Sequence, residues 1–137
     1  MRLNYFSALL ALLFGAAFVY WSPLLASESV NPITVKLLLL SPDEYDGKTV
    51  RVSGRVQTIS AERGKRGSEY LKIVIEDSQQ NQEQTTETLN VFIYSSPRIK
   101  KGSSIIVSGI YHKSGHWGGS EQEHFIEASL ITPIQIN

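Results

Sequence analysis

The sequence contains no cysteine, and this absence removes several classes of protein at once. Without a thiol, the chain forms no disulfide framework, no thiolate metal site and no lipid anchor on cysteine, and it has no cysteine nucleophile. It also lacks an excess of charge, since 13 Lys and Arg residues balance 13 Asp and Glu residues. Bulk attraction to nucleic acid is therefore not predicted, and any basic surface has to be local.

Charge is also missing from a long stretch near the N-terminus. Residues 6–21 read FSALLALLFGAAFVYW and follow the basic Arg2, which is typical of a secretory signal. A cut after Ala26 would place the large Leu24 where a small residue is preferred, and residues 5–26 are long enough to span about 30 Å of hydrocarbon. We therefore expect an exported protein, anchored in the membrane and facing the periplasm or cell exterior. The alternative is a cleaved signal that leaves a soluble protein there.

Two short helical turns are predicted after this segment. Ile33–Leu40 reads ITVKLLLL and places Ile33, Leu37 and Leu40 on one stripe, which predicts a short helix packed on the domain through that stripe. Ser41–Glu44 reads SPDE, a capping-box pattern with proline at the first helical position, and predicts one further turn.

From residue 50 onward, apolar and polar residues alternate, which predicts strands. The five expected strands are Val50–Gln57, Glu69–Glu76, Thr88–Tyr94, Ser104–Tyr111 and Gln122–Ile131. The side chains expected to point inward on the second, third and fifth strands are Leu71, Ile73, Ile75, Leu89, Val91, Ile93, Ile126, Ala128 and Leu130. Three polar or glycine-containing loops are expected at Ala61–Gly67, Asp77–Glu87 and Lys113–Glu121. Five short strands, two of them with a glycine that permits a bend, predict an all-β protein with a small Greek-key barrel of the OB type.

The expected organisation is a signal peptide or anchor over residues 1–26, a linker over 27–32, one barrel domain over 33–134 and a tail over 135–137. Leu37–Val56, LLLLSPDEYDGKTVRVSGRV, resembles the opening of many OB-fold domains, and Pro97–Gly109, PRIKKGSSIIVSG, resembles the matching fourth strand. This resemblance implies an OB fold that binds an oligomeric ligand on one face. The exported layout is also similar to that of the haem chaperone of cytochrome c maturation, whose family attaches haem to the histidine of a His-x-x-x-Tyr motif. That motif does not occur in this sequence, and no cofactor is expected.

Strand alternation predicts one ligand-binding face. Its candidate residues are Arg51 and Arg55 on the first strand, Tyr70 and Lys72 on the second, Phe92 and Tyr94 on the third, and Arg63, Lys65, Arg66 and Trp117 in the flanking loops. Aromatic rings beside local cations suit stacked bases and phosphates, and they equally suit sugars or an acidic peptide. In the alternative interpretation, Phe92 and Tyr94 are covered by the N-terminal helix and the basic loop is only solvated.

Two further groups of residues have side chains capable of chemistry. His112, His116 and His124 lie on or beside one hairpin and are weak candidates for metal ligands, the alternative being three solvent-facing histidines. Glu121, Glu123 and His124 are close in sequence, but no nucleophile–base pattern accompanies them. We therefore expect no enzyme activity.

The sequence thus predicts a non-catalytic, extracytoplasmic OB-fold binding or adaptor module, tethered at the membrane, whose partner is an unidentified protein or oligomeric ligand. The alternatives are a single-stranded nucleic-acid-binding protein and a haem- or metal-handling chaperone of the cell envelope.

Overall fold

The computed structural model describes residues 31–78 and 86–135. In chain order the elements are β1 (Ile33–Thr34), α1 (Val35–Leu40), α2 (Pro42–Tyr45), β2 (Thr49–Arg63), β3 (Glu69–Glu76), β4 (Thr88–Ile93), β5 (Ser104–Trp117) and β6 (Ser120–Pro133). The proposed export segment and most of the predicted loop Asp77–Glu87 lie outside the described residues. None of the helices described here has the length and apolar character needed to cross a membrane.

The strands form one sheet in the order β1-β2-β3-β4-β6-β5, and β2 also pairs with β5, which closes the barrel. Pairing is antiparallel except between β1 and β2 and between β4 and β6. Apart from the two-residue β1, five long strands therefore build a closed Greek-key barrel, the architecture of the OB fold. The predicted all-β fold is confirmed.

The alternation predicted for the second and third strands sets the core of the barrel. Ile73 and Ile75 of β3 are fully buried. Leu89, Val91 and Ile93 of β4 are at most 3% exposed. Because successive side chains of a strand point to opposite faces, the residues between them lie on the outer face of the sheet.

A β-bulge changes the pattern on the last strand. β6 carries one extra residue, Ser129, opposite the step from Ser108 to Gly109. An extra residue shifts the two-residue period by one, so the side chains beyond it exchange faces. Leu130 is accordingly 59% exposed while Ile131 is buried. The prediction that Leu130 points inward is wrong for this reason.

The first helix packs through a different stripe from the one predicted. Ile33 belongs to β1, so α1 starts later than expected, and its buried residues are Val35 and Leu38. Leu37 is 48% exposed and Leu40 is 65% exposed. The prediction of a stripe through Ile33, Leu37 and Leu40 is therefore wrong. Four consecutive leucines fit any of several apolar stripes, so the residue at which the helix begins determines which of them are buried.

The second turn, α2, forms as predicted with Pro42 in its first turn. The Ser41 side chain makes no capping hydrogen bond, so the capping box expected there is not formed. Gly47 follows with a φ of 74°, a left-handed conformation that glycine adopts without steric strain.

Candidate ligand-binding face

The outer face of β3 and β4 carries the aromatic and basic side chains that alternation placed there. Lys72 lies directly opposite Phe92 in the register of the two strands. Tyr70 precedes Lys72 by two residues and therefore lies on the same side of the sheet. Tyr94 follows the end of β4, and its ring lies 6.5 Å from that of Tyr70 on this side. The C-terminal ends of β2 and β5 lie beside this face.

The hairpin of β5 and β6 is longer than predicted. β5 continues to Trp117 and β6 begins at Ser120, so the turn consists of Gly118 and Gly119 alone, with φ of 61° and 86°. Two consecutive left-handed residues are what a tight type I′ hairpin requires. The predicted loop Lys113–Glu121 is therefore mostly strand, and its tip stands over the outer face of the sheet.

Five rings meet beneath this tip, and we call them the aromatic cluster: Tyr70, Phe92, Tyr94, Trp117 and Phe125. Trp117 stacks on Phe92 with ring centres 5.3 Å apart and planes 9° from parallel. Its centre lies 5.0 Å from that of Tyr94 and 5.7 Å from that of Tyr70, and Phe92 contacts Phe125 edge-on at 5.6 Å. These distances are those of favourable ring pairs.

Burial divides the aromatic cluster into a floor and a rim. Phe92, Trp117 and Phe125 are between 1% and 7% exposed, whereas Tyr94 is 64% exposed. The expectation that Phe92 is a surface ring is wrong, and the element that covers it is the β5–β6 hairpin rather than the N-terminal helix. Alternation identifies the side of a sheet on which a ring lies, but it does not reveal whether another element covers that side.

The floor contains a polar atom without a partner. The indole Nε1 of Trp117 is buried and makes no hydrogen bond within residues 31–78 and 86–135. Leaving a buried donor unpaired costs about 1–3 kcal/mol. This donor therefore marks the point in the aromatic cluster where an additional acceptor would be most stabilising.

The loop between β2 and β3 reaches the hairpin tip. Because β2 extends to Arg63, the loop comprises residues 64–68 and is shorter than the predicted Ala61–Gly67. The backbone N–H of Lys65 donates to the carbonyl oxygen of Gly118 at 3.0 Å. A Cβ on Gly118 would lie 2.7 Å from the hydroxyl oxygen of Tyr70, so the tip rests directly on that ring.

The predicted cations in and beside this loop are all exposed, and one of them forms an ion pair. Lys65 and Arg66 are exposed in the loop, whereas Arg63 forms an exposed ion pair with Glu69. The hydroxyl of Tyr70 donates to Glu62 at 3.1 Å. Burial and this hydrogen bond raise the pKa of Tyr70 above the ordinary value of 10.0.

The structure does not place the two arginines of the first strand in the aromatic cluster. Arg55 donates through Nε and Nη2 to one carboxylate oxygen of Glu76, at 3.0 and 2.6 Å, and Glu76 is only 7% exposed. Arg51 lies opposite Ser108 of β5 and four residues from Arg55, a distance of about 13 Å along a strand. Arg55 therefore has a structural partner in Glu76. Arg51 lies on the part of β2 that pairs with β5.

The three histidines have separate surroundings. His112 Nε2 lies 3.3 Å from a carboxylate oxygen of Glu127, and His124 Nδ1 lies 2.7 Å from the hydroxyl oxygen of Tyr111. His116 is exposed near the hairpin tip. Among the described residues, no three or more His, Asp or Glu side chains form a group that could hold a metal ion.

Sequence reasoning missed Phe125 and the two-residue turn, although both have a signal. Phe125 and Ile126 are adjacent large apolar residues in one strand, which indicates that both faces of that strand are covered there. Gly118 and Gly119 form a Gly-Gly pair, which is a signal for a two-residue hairpin turn. The polar residues around the pair obscured the alternation that would have extended the strands.

No family model matches the chain, and no curated protein matches it significantly. Eleven chains of solved structures match it. One of them is a mitochondrial single-stranded DNA-binding protein from S. cerevisiae, with 14% identity, a TM-score of 0.48, and coverage of 67% of this chain and 99% of that chain. A likeness at this level carries no argument about the ligand. The OB fold of this chain follows from its own strand order and from the closure of β2 on β5.

Proposed function

We propose that this chain is a non-catalytic binding module that holds a linear oligomeric ligand against the aromatic cluster. The observation that carries the proposal is the unpaired Nε1 donor of Trp117 beneath the exposed ring of Tyr94. A core that served stability alone would gain by replacing the indole with an apolar ring, because the buried donor lowers stability.

The geometry favours a ligand with flat or apolar groups. Tyr94 offers an exposed ring at the rim, and the half-buried Tyr70 lies 6.5 Å from it, edge to face. Large aromatic rings supply contact area at low conformational cost, because only two side-chain torsions have to be fixed.

We further propose that residues 5–26 export the domain and tether it in the membrane, so that the face acts outside the cytoplasm. The support is the uncharged sequence of spanning length and its poor cleavage site. A mature N-terminus near Ser27, found by mass spectrometry of the natural protein, would contradict the tether.

A second candidate is single-stranded nucleic acid, favoured by the cations near the rim. Lys65 and Arg66 are exposed in the adjacent loop, and Lys72 lies on the same face as Tyr94. Cations beside a stacking ring are the usual means of holding a single strand. Steep weakening of binding with added salt would identify this ligand, because phosphate contacts release counterions.

The test is a titration of the full-length chain with three fluorescent linear probes: an oligothymidylate, an oligoglutamate peptide and a dextran oligosaccharide. Tyr94→Ala is expected to weaken the bound probe about tenfold, within the range of one stacked base, while Tyr94→Phe retains binding. Leu130→Ala is the matched control, because Leu130 is 59% exposed but does not belong to the aromatic cluster. Binding of none of the probes, or equal losses in Tyr94→Ala and Leu130→Ala, would overturn the proposal.

A further inference from the structure

Few polar contacts join the tip of the β5–β6 hairpin to the neighbouring loop. Within the described residues, a single backbone hydrogen bond, from Lys65 to Gly118, joins the turn to loop 64–68. The Tyr70 ring lies beneath Gly118, the aliphatic part of Lys65 lies beside Gly119, and a Cβ on Gly64 would lie 3.2 Å from the Cα of Gly118. Lifting the tip breaks this hydrogen bond and withdraws Trp117 from its ring contacts with Phe92, Tyr70 and Tyr94.

The rings under the tip are distinct from the barrel core. Phe92, Trp117 and Phe125 form a buried cluster of their own, separate from the cluster that contains Val91 and Ile126. Removing Trp117 from the floor would leave the barrel core packed. Local opening without global unfolding is possible where few contacts join one segment to the rest.

The hairpin has one unpaired position between the barrel and the tip, and the register continues unchanged on both sides of it. His112 pairs with Phe125 and Ser114 pairs with Glu123, but the intervening residues are not paired in the register. One of these is His124, which has a φ of 47°, the only left-handed non-glycine residue in the described ranges. Backbone strain of this kind concentrates where segments bend or move. The His124 ring remains tied to the barrel through Tyr111, which fixes the position of the bend.

We propose that the segment from Lys113 to His124 is a lid that pivots at its barrel end and holds Trp117 over the other rings of the aromatic cluster. In the closed state the Nε1 donor of Trp117 has no acceptor. When the lid lifts away from loop 64–68, the indole reaches water or a ligand acceptor, and the rings of Phe92 and Tyr70 become accessible. The lid regulates access to the proposed binding face, so its role rests on the proposed function, but its motion does not require a ligand.

The first test uses hydrogen exchange of the full-length chain without any ligand. The indole Nε1 proton of Trp117 is expected to exchange at least about tenfold faster than the backbone amides of Val91 and Ile126, after correction for intrinsic rates. That ratio would show opening of the lid while the barrel remains folded. Exchange of the indole proton as slow as that of the barrel amides would overturn the proposal.

The second test shifts the equilibrium between the closed and open lid with a matched pair of variants. Both are made in a Trp21→Phe background, so that Trp117 is the one tryptophan left of the two in the sequence. Gly118→Ala places a Cβ 2.7 Å from the Tyr70 hydroxyl oxygen, whereas in Gly119→Ala the Cβ meets the flexible side chain of Lys65. Both glycines have left-handed φ, so both variants strain the turn. Gly118→Ala is expected to red-shift Trp117 emission and increase its quenching by acrylamide, with the far-ultraviolet circular dichroism of the barrel retained.

Three outcomes of these measurements would count against the lid: no greater quenching in Gly118→Ala than in Gly119→Ala, loss of the barrel spectrum together with exposure of Trp117, or a bound probe that leaves Trp117 as shielded as in the free chain. The last outcome would overturn the lid while the proposed binding function stands. Failure of every probe to bind, with fast exchange of the indole proton, would overturn the function and leave the lid supported.

Discussion

Phe92 lies on β4 and Tyr94 lies just beyond its end, and their two rings have different roles. Phe92 is 1% exposed between Trp117 and Phe125, whereas Tyr94 is 64% exposed. Phe92→Ala is therefore expected to lower the free energy of unfolding by about 3–5 kcal/mol, and Tyr94→Ala by no more than about 1 kcal/mol. Urea denaturation of the two variants measures both values. Similar losses in the two variants would contradict the division into floor and rim.

The roles of individual side chains could be predicted only where they depend on local pattern. Alternation correctly placed Tyr70, Lys72 and Phe92 on the outer side of the sheet. It did not show that Arg55 is held by Glu76, because that pair is brought together by the register of β2 against β3. A charged residue on an accessible side of a strand is therefore a candidate for binding only until its cross-strand neighbour is known.

Helix α1 shows the same limit for an entire element. Leu38 is fully buried and its neighbour Leu37 is 48% exposed. Leu38→Ala is expected to lower the free energy of unfolding by about 2–5 kcal/mol, while Leu37→Ala, which removes the same atoms from the same helix, should cost less than about 1 kcal/mol. Thermal or urea denaturation of both variants measures the difference. A larger loss in Leu37→Ala would mean that the helix packs through the stripe of Ile33, Leu37 and Leu40.

The strands were predicted most accurately where one side is buried in the barrel. β3 begins and ends at the predicted residues, Glu69 and Glu76, because its apolar side chains alternate throughout. β2 and β5 extend beyond their predicted ends to Arg63 and Trp117, where polar residues and glycines remove the apolar signal. Backbone pairing of β2 with β3 and of β5 with β6, rather than burial, determines these extensions. The sequence pattern therefore predicts the part of a strand that faces the core.

At the scale of the molecule, the barrel could be predicted from the sequence, but the full set of residues in the aromatic cluster could not. Five alternating segments are sufficient to indicate a closed Greek-key barrel. The aromatic cluster requires in addition that the tip at Gly118 meets the loop at Lys65, and these residues are far apart in sequence. Such a contact depends on strand length, bend and twist together, none of which is expressed in local periodicity.

The stability of the whole molecule is expected to fall in alkali, because Tyr111 is fully buried. Burial, followed by the nearby carboxylates Asp46 and Asp43, raises the pKa of Tyr111 from 10.0 to about 12. Between these values the unfolded chain releases the phenol proton while the folded chain retains it, so the free energy of unfolding decreases as pH rises. Two pKa units correspond to a loss of up to about 3 kcal/mol between pH 10 and pH 12, measurable by urea denaturation at several pH values.

Tyr111→Phe separates this effect from other alkaline titrations. The variant loses the hydrogen bond to His124 and is expected to be about 1 kcal/mol less stable at neutral pH. Its stability should nevertheless fall less steeply above pH 10, because the buried phenol no longer titrates. Part of the slope will remain, since the hydrogen bond to Asp43 raises the pKa of Lys113 and its loss acts in the same direction. An unchanged slope in Tyr111→Phe would mean that titration of the buried phenol does not cause the alkaline loss of stability.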